Sequence, residues 1–365
     1  MDTNGPEIEQ GSARPAARPD KKSKKVYILC GIVSTWFIAE LFVQIVGGLA
    51  GIAVRIPLSA LSASLLTSTL GTAGVALFDD YALFVGIFLS FLLLLAIVKP
   101  WRPYLKALGT KPEGNRPHMI ALGLLIGFAM NALCILAAVL TGCVQLEFSQ
   151  FSLVGTLAFL VIIFIQSSTE EVMCRGFAYQ RISRTYNPTV AIIAASAIFS
   201  LSHILNPGVT PLALLEIFLT GVLYSQMVVY FDSIWLPMGA HTAWNFTQNI
   251  LFGLPNSGVV STYSFFGIVG QTSSGFAYDT AFGVEGTWFA VIVYAACILA
   301  LYLWGRGRER REFDIWEGSE LEAAQAETST KAEMPAGTTP DIQPGQCSDS
   351  EDRPTVKPKK ARWFY

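Results

Sequence analysis

A polytopic helical membrane bundle of about eight spans, all-α and with both termini in the cytoplasm, is the fold class this sequence predicts. Three observations carry that expectation: an apolar composition, apolar runs of bilayer length, and cations confined to one side of those runs. Of the 365 residues, 52% are hydrophobic and only 14% are charged, with mean hydropathy +0.47. Soluble domains carry about 25% charged residues, so a soluble fold would have to bury nearly every segment. The formal net charge of -2 decides little; the placement of the charges decides more.

A span needs about 20 apolar residues. Eight segments qualify, at 27–52, 81–98, 118–142, 152–174, 189–204, 211–230, 234–251 and 287–304. The first begins after a polar stretch, is too long for a signal-peptide core and carries Glu40 and Gln44, so it reads as a retained span. The run 58–78 is apolar but rich in Ser, Thr and Gly, and is expected to be an interfacial or re-entrant piece. Flanking the spans (26–305), residues 1–25 form a basic tail. Residues 306–365 form a second tail of mixed acidic, Pro, Ala and Thr content. Neither has the apolar surface to order itself, so both are expected to be disordered.

Orientation follows from the cations. Of the 25 Lys and Arg, all but Arg55 fall on one side of the predicted spans. That side holds Lys21, Lys22, Lys24 and Lys25, then Lys99, Arg102 and Lys106, then Arg175, Arg181 and Arg184, and the run after the last span. The loop 252–286 contains none. The six cysteines (Cys30, Cys134, Cys143, Cys174, Cys297, Cys347) show no CxxC pair or regular spacing, which argues against a disulfide framework and a zinc–cysteine site. No nucleic-acid partner is expected; the lipid bilayer is, with the basic tails near anionic headgroups. The oligomeric state is not legible.

Ionisable side chains inside spans are costly and are functional candidates by default. Here they are Glu40, Glu170, Glu171, Arg175, His203, Glu216 and His241. Glu170 and Glu171 point about 100° apart on a helix. Glu171 and Arg175 stand at i and i+4 in the favourable order and are expected to neutralise each other. Glu170 is left for another partner, and His203 is the natural one. The turn between the fourth and fifth spans falls at Asn187-Pro188, midway between positions 170 and 203, so an antiparallel hairpin sets the two at one depth. His241 and Asn245 share one face of the seventh span. His118, at a basic edge, is expected to be solvated. Glu40, Gln44, Glu216 and Gln226 read as interior polar contacts or cavity lining.

A carboxylate, two imidazoles and an amide in a wet intramembrane cavity can hydrolyse an amide bond. In one version Glu170 takes the proton of a water that His203 orients, and His241 and Asn245 donate to the oxyanion. In the other, Glu170, His203 and His241 hold a divalent metal such as zinc that activates the water. The residues leave both open.

The quoted residues also carry a family resemblance. Glu170-Glu171-Val-Met-Cys-Arg175 resembles an EExxxR motif, Phe199 to His203 an FxxxH motif, and His241 to Asn245 an HxxxN motif. In this order they resemble the CPBP or Abi family, which includes type II CAAX prenyl endopeptidases and bacterial proteins tied to bacteriocin processing and immunity. The resemblance covers about 152–250. It implies Glu170 and His203 as the water-activating pair and His241 and Asn245 as oxyanion stabilisers. It also implies a bundle of about eight spans in the cell membrane with a cavity open to the cytoplasm. The substrate would be a peptide or lipidated protein at the membrane; Glu171, Arg175 and Phe199 would support the site. Two other classes stay in view: a proton-coupled transporter using Glu170, His203 and Glu216, and a non-catalytic scaffold or immunity protein.

Overall fold

A computed structural model describes residues 21–109, 112–184, 186–270 and 272–306. The chain is mostly helical, with helices at all eight expected places. Among the described residues, six stretches are long and apolar enough to cross a membrane: Leu29–Ala53, Leu66–Ile97, Pro117–Leu140, Leu153–Ser183, Pro211–Phe231 and Trp288–Gly305. The other two helices are shorter. Pro188–Ser202 has 15 residues, about 22 Å at 1.5 Å each, against about 30 Å of hydrocarbon. Trp235–Asn245 has 11 and runs on through a six-residue π-helical turn. Length therefore supports six full spans, and the expected count of eight rests on two helices that fall short.

The first helix, α1 (Lys21–Ile97), is interrupted at Gly71, whose φ of 67° and ψ of 176° lie outside helical space. Glycine alone adopts that backbone freely, and a Cβ there would meet nothing within 4 Å, so conformation rather than crowding sets the residue. The run 58–78 is thus no separate piece. It ends one helical arm and starts the next, and the second arm begins just after Gly71 rather than at 81. Its Ser and Thr content lowers hydropathy without ending the helix. The two arms touch closely, since a Cβ on Gly86 would strike the backbone of Gly47 and Gly51. The described helix already includes residues 21–25 of the expected N-terminal tail; the rest of both expected tails lies outside the described residues, as does Cys347. The five described cysteines are unpaired.

A 3-10 helix (Lys99–Ala107) follows, then α2 (Pro117–Leu140), with proline in its first turn where the missing N–H costs nothing. His118 beside it is exposed. Ser152 caps α3 (Leu153–Glu171) by accepting from Gly155 N. The helix then widens into a π-helical stretch, Val172–Tyr179, and closes as α4 (Gln180–Ser183). Asn187 and Pro188 start α5 (Pro188–Ser202), the Asn side chain accepting from Val190 N. α6 (Pro211–Phe231) starts at the Thr210 cap and stops where Asp232 turns left-handed. α7 (Trp235–Asn245) and α8 (Trp288–Gly305) complete the bundle. Two short strands, β1 (Gln145–Phe148) and β2 (Phe266–Val269), pair antiparallel with Gln145 opposite Val269. A search for apolar runs does not see them.

Leu41, Ile45, Leu125, Leu157 and Leu299 are exposed, whereas Gln166, Ser167, Thr169, Glu171, Arg175, Asn245 and Gln248 are buried. An apolar surface around a polar interior is the arrangement lipid requires. α2 and α7 pack through small residues: a Cβ on Gly123 would strike Leu236 O, and one on Gly127 would strike Ala240 O. This small-xxx-small contact sets the position of α7.

Candidate functional site

Three elements deliver the side chains. α3 carries Glu170 and Glu171, α5 ends at His203, and α7 carries His241 and Asn245. The π-helical continuation of α3 is pinned from several directions. Phe177, fully buried, packs against Phe91, Trp101 and Tyr104 at ring separations of 5.7, 4.8 and 4.9 Å. Trp36 Nε1 on α1 donates to Met173 O at 3.1 Å. π-helical turns frequently mark functional sites, and here one follows α3, at 172–179, and another follows α7, at 246–251.

Glu170 Oε2 lies 3.9 Å from His203 Nε2 and 3.7 Å from His241 Nε2. The structure thus brings together residues 33, 38 and 71 positions apart in the chain, counting 203−170, 241−203 and 241−170. Each imidazole is oriented through its other nitrogen. His203 Nδ1 stands 2.8 Å from Phe199 O, and His241 Nδ1 stands 2.9 Å from Glu171 Oε1. Since a carbonyl and a carboxylate only accept, both Nδ1 atoms carry the proton. In each neutral ring the Nε2 facing Glu170 is then the lone-pair nitrogen. Glu170 Oε2 is itself buried with no hydrogen-bond partner among the described residues, while Oε1 accepts from Gln166 Nε2 at 2.7 Å. The separations between Oε2 and the two Nε2 atoms are too long for direct hydrogen bonds and suit groups that share a small polar molecule.

Glu171 is held far more tightly. Its Oε1 accepts from Arg175 Nη1 at 3.0 Å, with both side chains fully buried, and from His241 Nδ1. The Arg175–Glu171 pair expected from spacing is present, and it has a further member in His241 that spacing does not reveal. The Arg175 guanidinium lies 4.4 Å from the Phe199 ring centre and 5.5 Å from that of Tyr224. Phe199 also meets His203 edge-on at 4.9 Å.

Asn245 lies beside the histidines on the cavity wall, but its amide nitrogen donates to Gln166 Oε1 at 3.0 Å and Ser167 Oγ at 3.4 Å. Gln166 therefore couples Asn245 to Glu170. It is a site residue that motif reasoning missed, although its position four residues before Glu170 puts it on the same helix face. The second omission is Glu285. The cavity beyond the histidines is lined by His203, His241, Asn245, Glu216 and Glu285, and measures about 20 Å³, room for a water or two. Glu216, expected as cavity lining, is there; Glu285 comes from the loop 252–286, where only the lack of cations had drawn notice.

A metal is chemically suited to two imidazole Nε2 atoms and a carboxylate whose partners fix the tautomers. As they stand, however, no three His, Cys, Asp or Glu side chains among the described residues are grouped to hold one.

Fold and site together define a multi-pass helical membrane protein built around a buried glutamate–histidine centre. Residues 152–247 match the family model described as Type II CAAX prenyl endopeptidase Rce1-like, a stretch that contains every motif residue from Glu170 to Asn245. The chain thus carries an Rce1-like domain, consistent with the CPBP family, and this supports a hydrolase of the CAAX-type intramembrane protease class. No curated protein and no solved structure matches it.

Proposed function

We propose that the protein is an intramembrane endopeptidase that hydrolyses a peptide bond of a peptide or lipidated protein at the membrane, using water activated by Glu170 and His203. The observation that carries this reading is the convergence of Glu170 Oε2 with His203 Nε2 and His241 Nε2 at separations that one water can bridge. A water there donates one O–H to Glu170 Oε2 and the other to His203 Nε2. Glu170 takes the proton as the water oxygen attacks the scissile carbonyl carbon. The carbonyl oxygen gains the charge and is met by Nε2–H of His241, which for this step has taken up a second proton from solvent to become an imidazolium while its Nδ1–H stays on Glu171. When the C–N bond breaks, the proton on Glu170 passes to the leaving nitrogen. Asn245 joins the oxyanion contacts by releasing Ser167, the longer of its two bonds.

No step here is routed through a metal, because the three donors are not grouped to hold one; retained cleavage in excess chelator is the outcome this route expects. The cation distribution orients both termini toward the cytoplasm of the cell membrane, with the cation-free loop 252–286 closing the far side of the cavity through Ser257 and Glu285. The test is proteolysis by the purified full chain in detergent against quenched peptides with and without a lipidated cysteine. Cleavage by wild type and none by folded Glu170→Gln is expected. A folded wild type that cleaves nothing while driving pH-dependent solute flux would instead make it a transporter. Biological activity that survives Glu170→Gln would make it a scaffold or immunity protein.

A further inference from the structure

The cavity behind the histidines holds two carboxyl groups that the proposed hydrolysis does not use. Glu216, on α6, and Glu285, in the loop before α8, both line it, and they are 1% and 5% exposed. Glu285 is fully engaged by donors: Trp244 Nε1 and Asn256 Nδ2 to Oε1, Ser257 N and Oγ to Oε2, at 2.6 to 3.0 Å. Indole, amide and backbone N–H groups donate only, so this cradle fits a carboxylate that accepts at every position. Burial pushes the Glu285 carboxyl above its usual range, and these donors pull it back. Glu216 has a single hydrogen bond among the described residues, from Thr220 Oγ1 to Oε1 at 3.0 Å. Its other oxygen is left to the cavity.

Neither carboxylate has an ion pair among the described residues, and no Lys or Arg lines the cavity. The two imidazoles on its wall are already aimed elsewhere, with Nε2 toward Glu170. Buried carboxylates without a counter-charge are costly, and intramembrane acids facing a cavity mark ligand paths. The wall also carries Tyr224, Trp244 and Tyr294, beside Ile217, Thr220 and Ser257. Acidic oxygens beside aromatic rings suit a cation. Its size selects the cation: about 20 Å³ takes an ammonium head, close to a water molecule in bulk, but not a planar guanidinium.

We propose that Glu216, through the oxygen that Thr220 leaves open, binds a primary ammonium group of the substrate next to the Glu170–histidine centre, with the saturated Glu285 adding negative charge nearby but no hydrogen bond. The inference rests on the protease reading for its purpose, but the binding it asserts stands apart from cleavage. The ammonium comes from a lysine side chain or from a free amino terminus.

Two measurements on the full chain in detergent test it. First, thermal unfolding is followed with n-butylammonium, n-butanol and n-butylguanidinium. Butylammonium is expected to raise Tm by several degrees in wild type and the other two are not, and Glu216→Gln, folded by its own cooperative transition, is expected to lose the shift. Equal shifts for amine and alcohol, or an undiminished shift in Glu216→Gln, overturn the subsite. Second, each position of a cleaved peptide is exchanged between lysine and norleucine, with the amino terminus free or acetylated. Wild type is expected to lose tenfold or more in kcat/KM at one exchange, lysine or terminus, and Glu216→Gln to show no such preference. Cleavage indifferent to every exchange overturns the subsite and leaves the protease. An ammonium-specific Tm shift without any cleavage keeps the subsite and removes the protease.

Discussion

Glu170 and Glu171 are neighbours in the chain and opposites in their surroundings. Glu171 is fully buried and bonded at 2.9 and 3.0 Å to a histidine and an arginine. Glu170 is partly exposed, and its Oε2 has two imidazoles at 3.7 and 3.9 Å and no hydrogen bond among the described residues. One turn of helix thus carries a charge locked into the scaffold beside a charge held open. The difference shows how a membrane helix accommodates two carboxylates: about 100° of rotation sends one to an internal counter-ion and the other toward two imidazoles, where an open coordination is useful.

The comparison breaks most sharply on activity. Glu170→Gln keeps shape and loses the base, so cleavage is expected to fall about 10²–10⁴-fold, with Tm at or above wild type because an unpartnered buried oxygen becomes an amide. A variant that cleaves normally, or unfolds, would show the two carboxylates to be alike. Glu171→Gln should do the reverse in character. It strips Arg175 of its counter-charge in a fully buried pair, a loss of about 3–5 kcal/mol, seen as a large fall in Tm. The double variant Glu171→Leu, Arg175→Met removes both charges together and should recover most of that Tm. Cleavage should stay low, because His241 has lost the acceptor that fixes its tautomer. Recovery of both would reduce Glu171 to an ion-pair partner.

Much of this was legible in the chain and some was not, for physical reasons. The hairpin argument needed only the breaker at Asn187-Pro188 and equal arm lengths, and Glu170 and His203 do come within 3.9 Å of each other. The motif spacing marked His241 and Asn245 because i and i+4 share a face. The Glu171–His241 bond was hidden because it joins helices 70 residues apart, and no local period encodes it. Glu285 was hidden because a loop position acquires meaning only from what the loop lies on. The start of the second helical arm just after Gly71 was hidden by the polar content of that run, which hydropathy counts and the helix tolerates. The π-helical turns have no spacing signature at all.

Between the two carboxylates lies a smaller contrast, in how firmly α7 is placed. Gly127 meets Ala240 O so closely that a Cβ has no room, and Ala240 precedes His241. Gly127→Ala should displace α7, cost about 1–3 kcal/mol by overpacking, and lower kcat by lengthening the His241–Glu171 bond. The same substitution at Gly71 tests strain instead, since nothing crowds a Cβ there and only the positive φ resists it. That variant should lose stability with kcat per folded molecule unchanged.

The smallest effect is expected at Gln166, which ties the open carboxylate to the oxyanion side through Glu170 Oε1 and Asn245 Nδ2. Gln166→Met keeps the volume and removes both bonds. If Glu170 is held open by design of its neighbours, losing this tether frees its rotamer, and kcat should fall about tenfold, the effect of roughly one net hydrogen bond, with KM little changed. Asn245→Ala should show a loss at least as large, since it removes the same tether and an oxyanion donor together. Should Gln166→Met match wild type while Asn245→Ala falls steeply, the amide of Asn245 acts on the substrate directly, and the tether seen at rest is only where it waits.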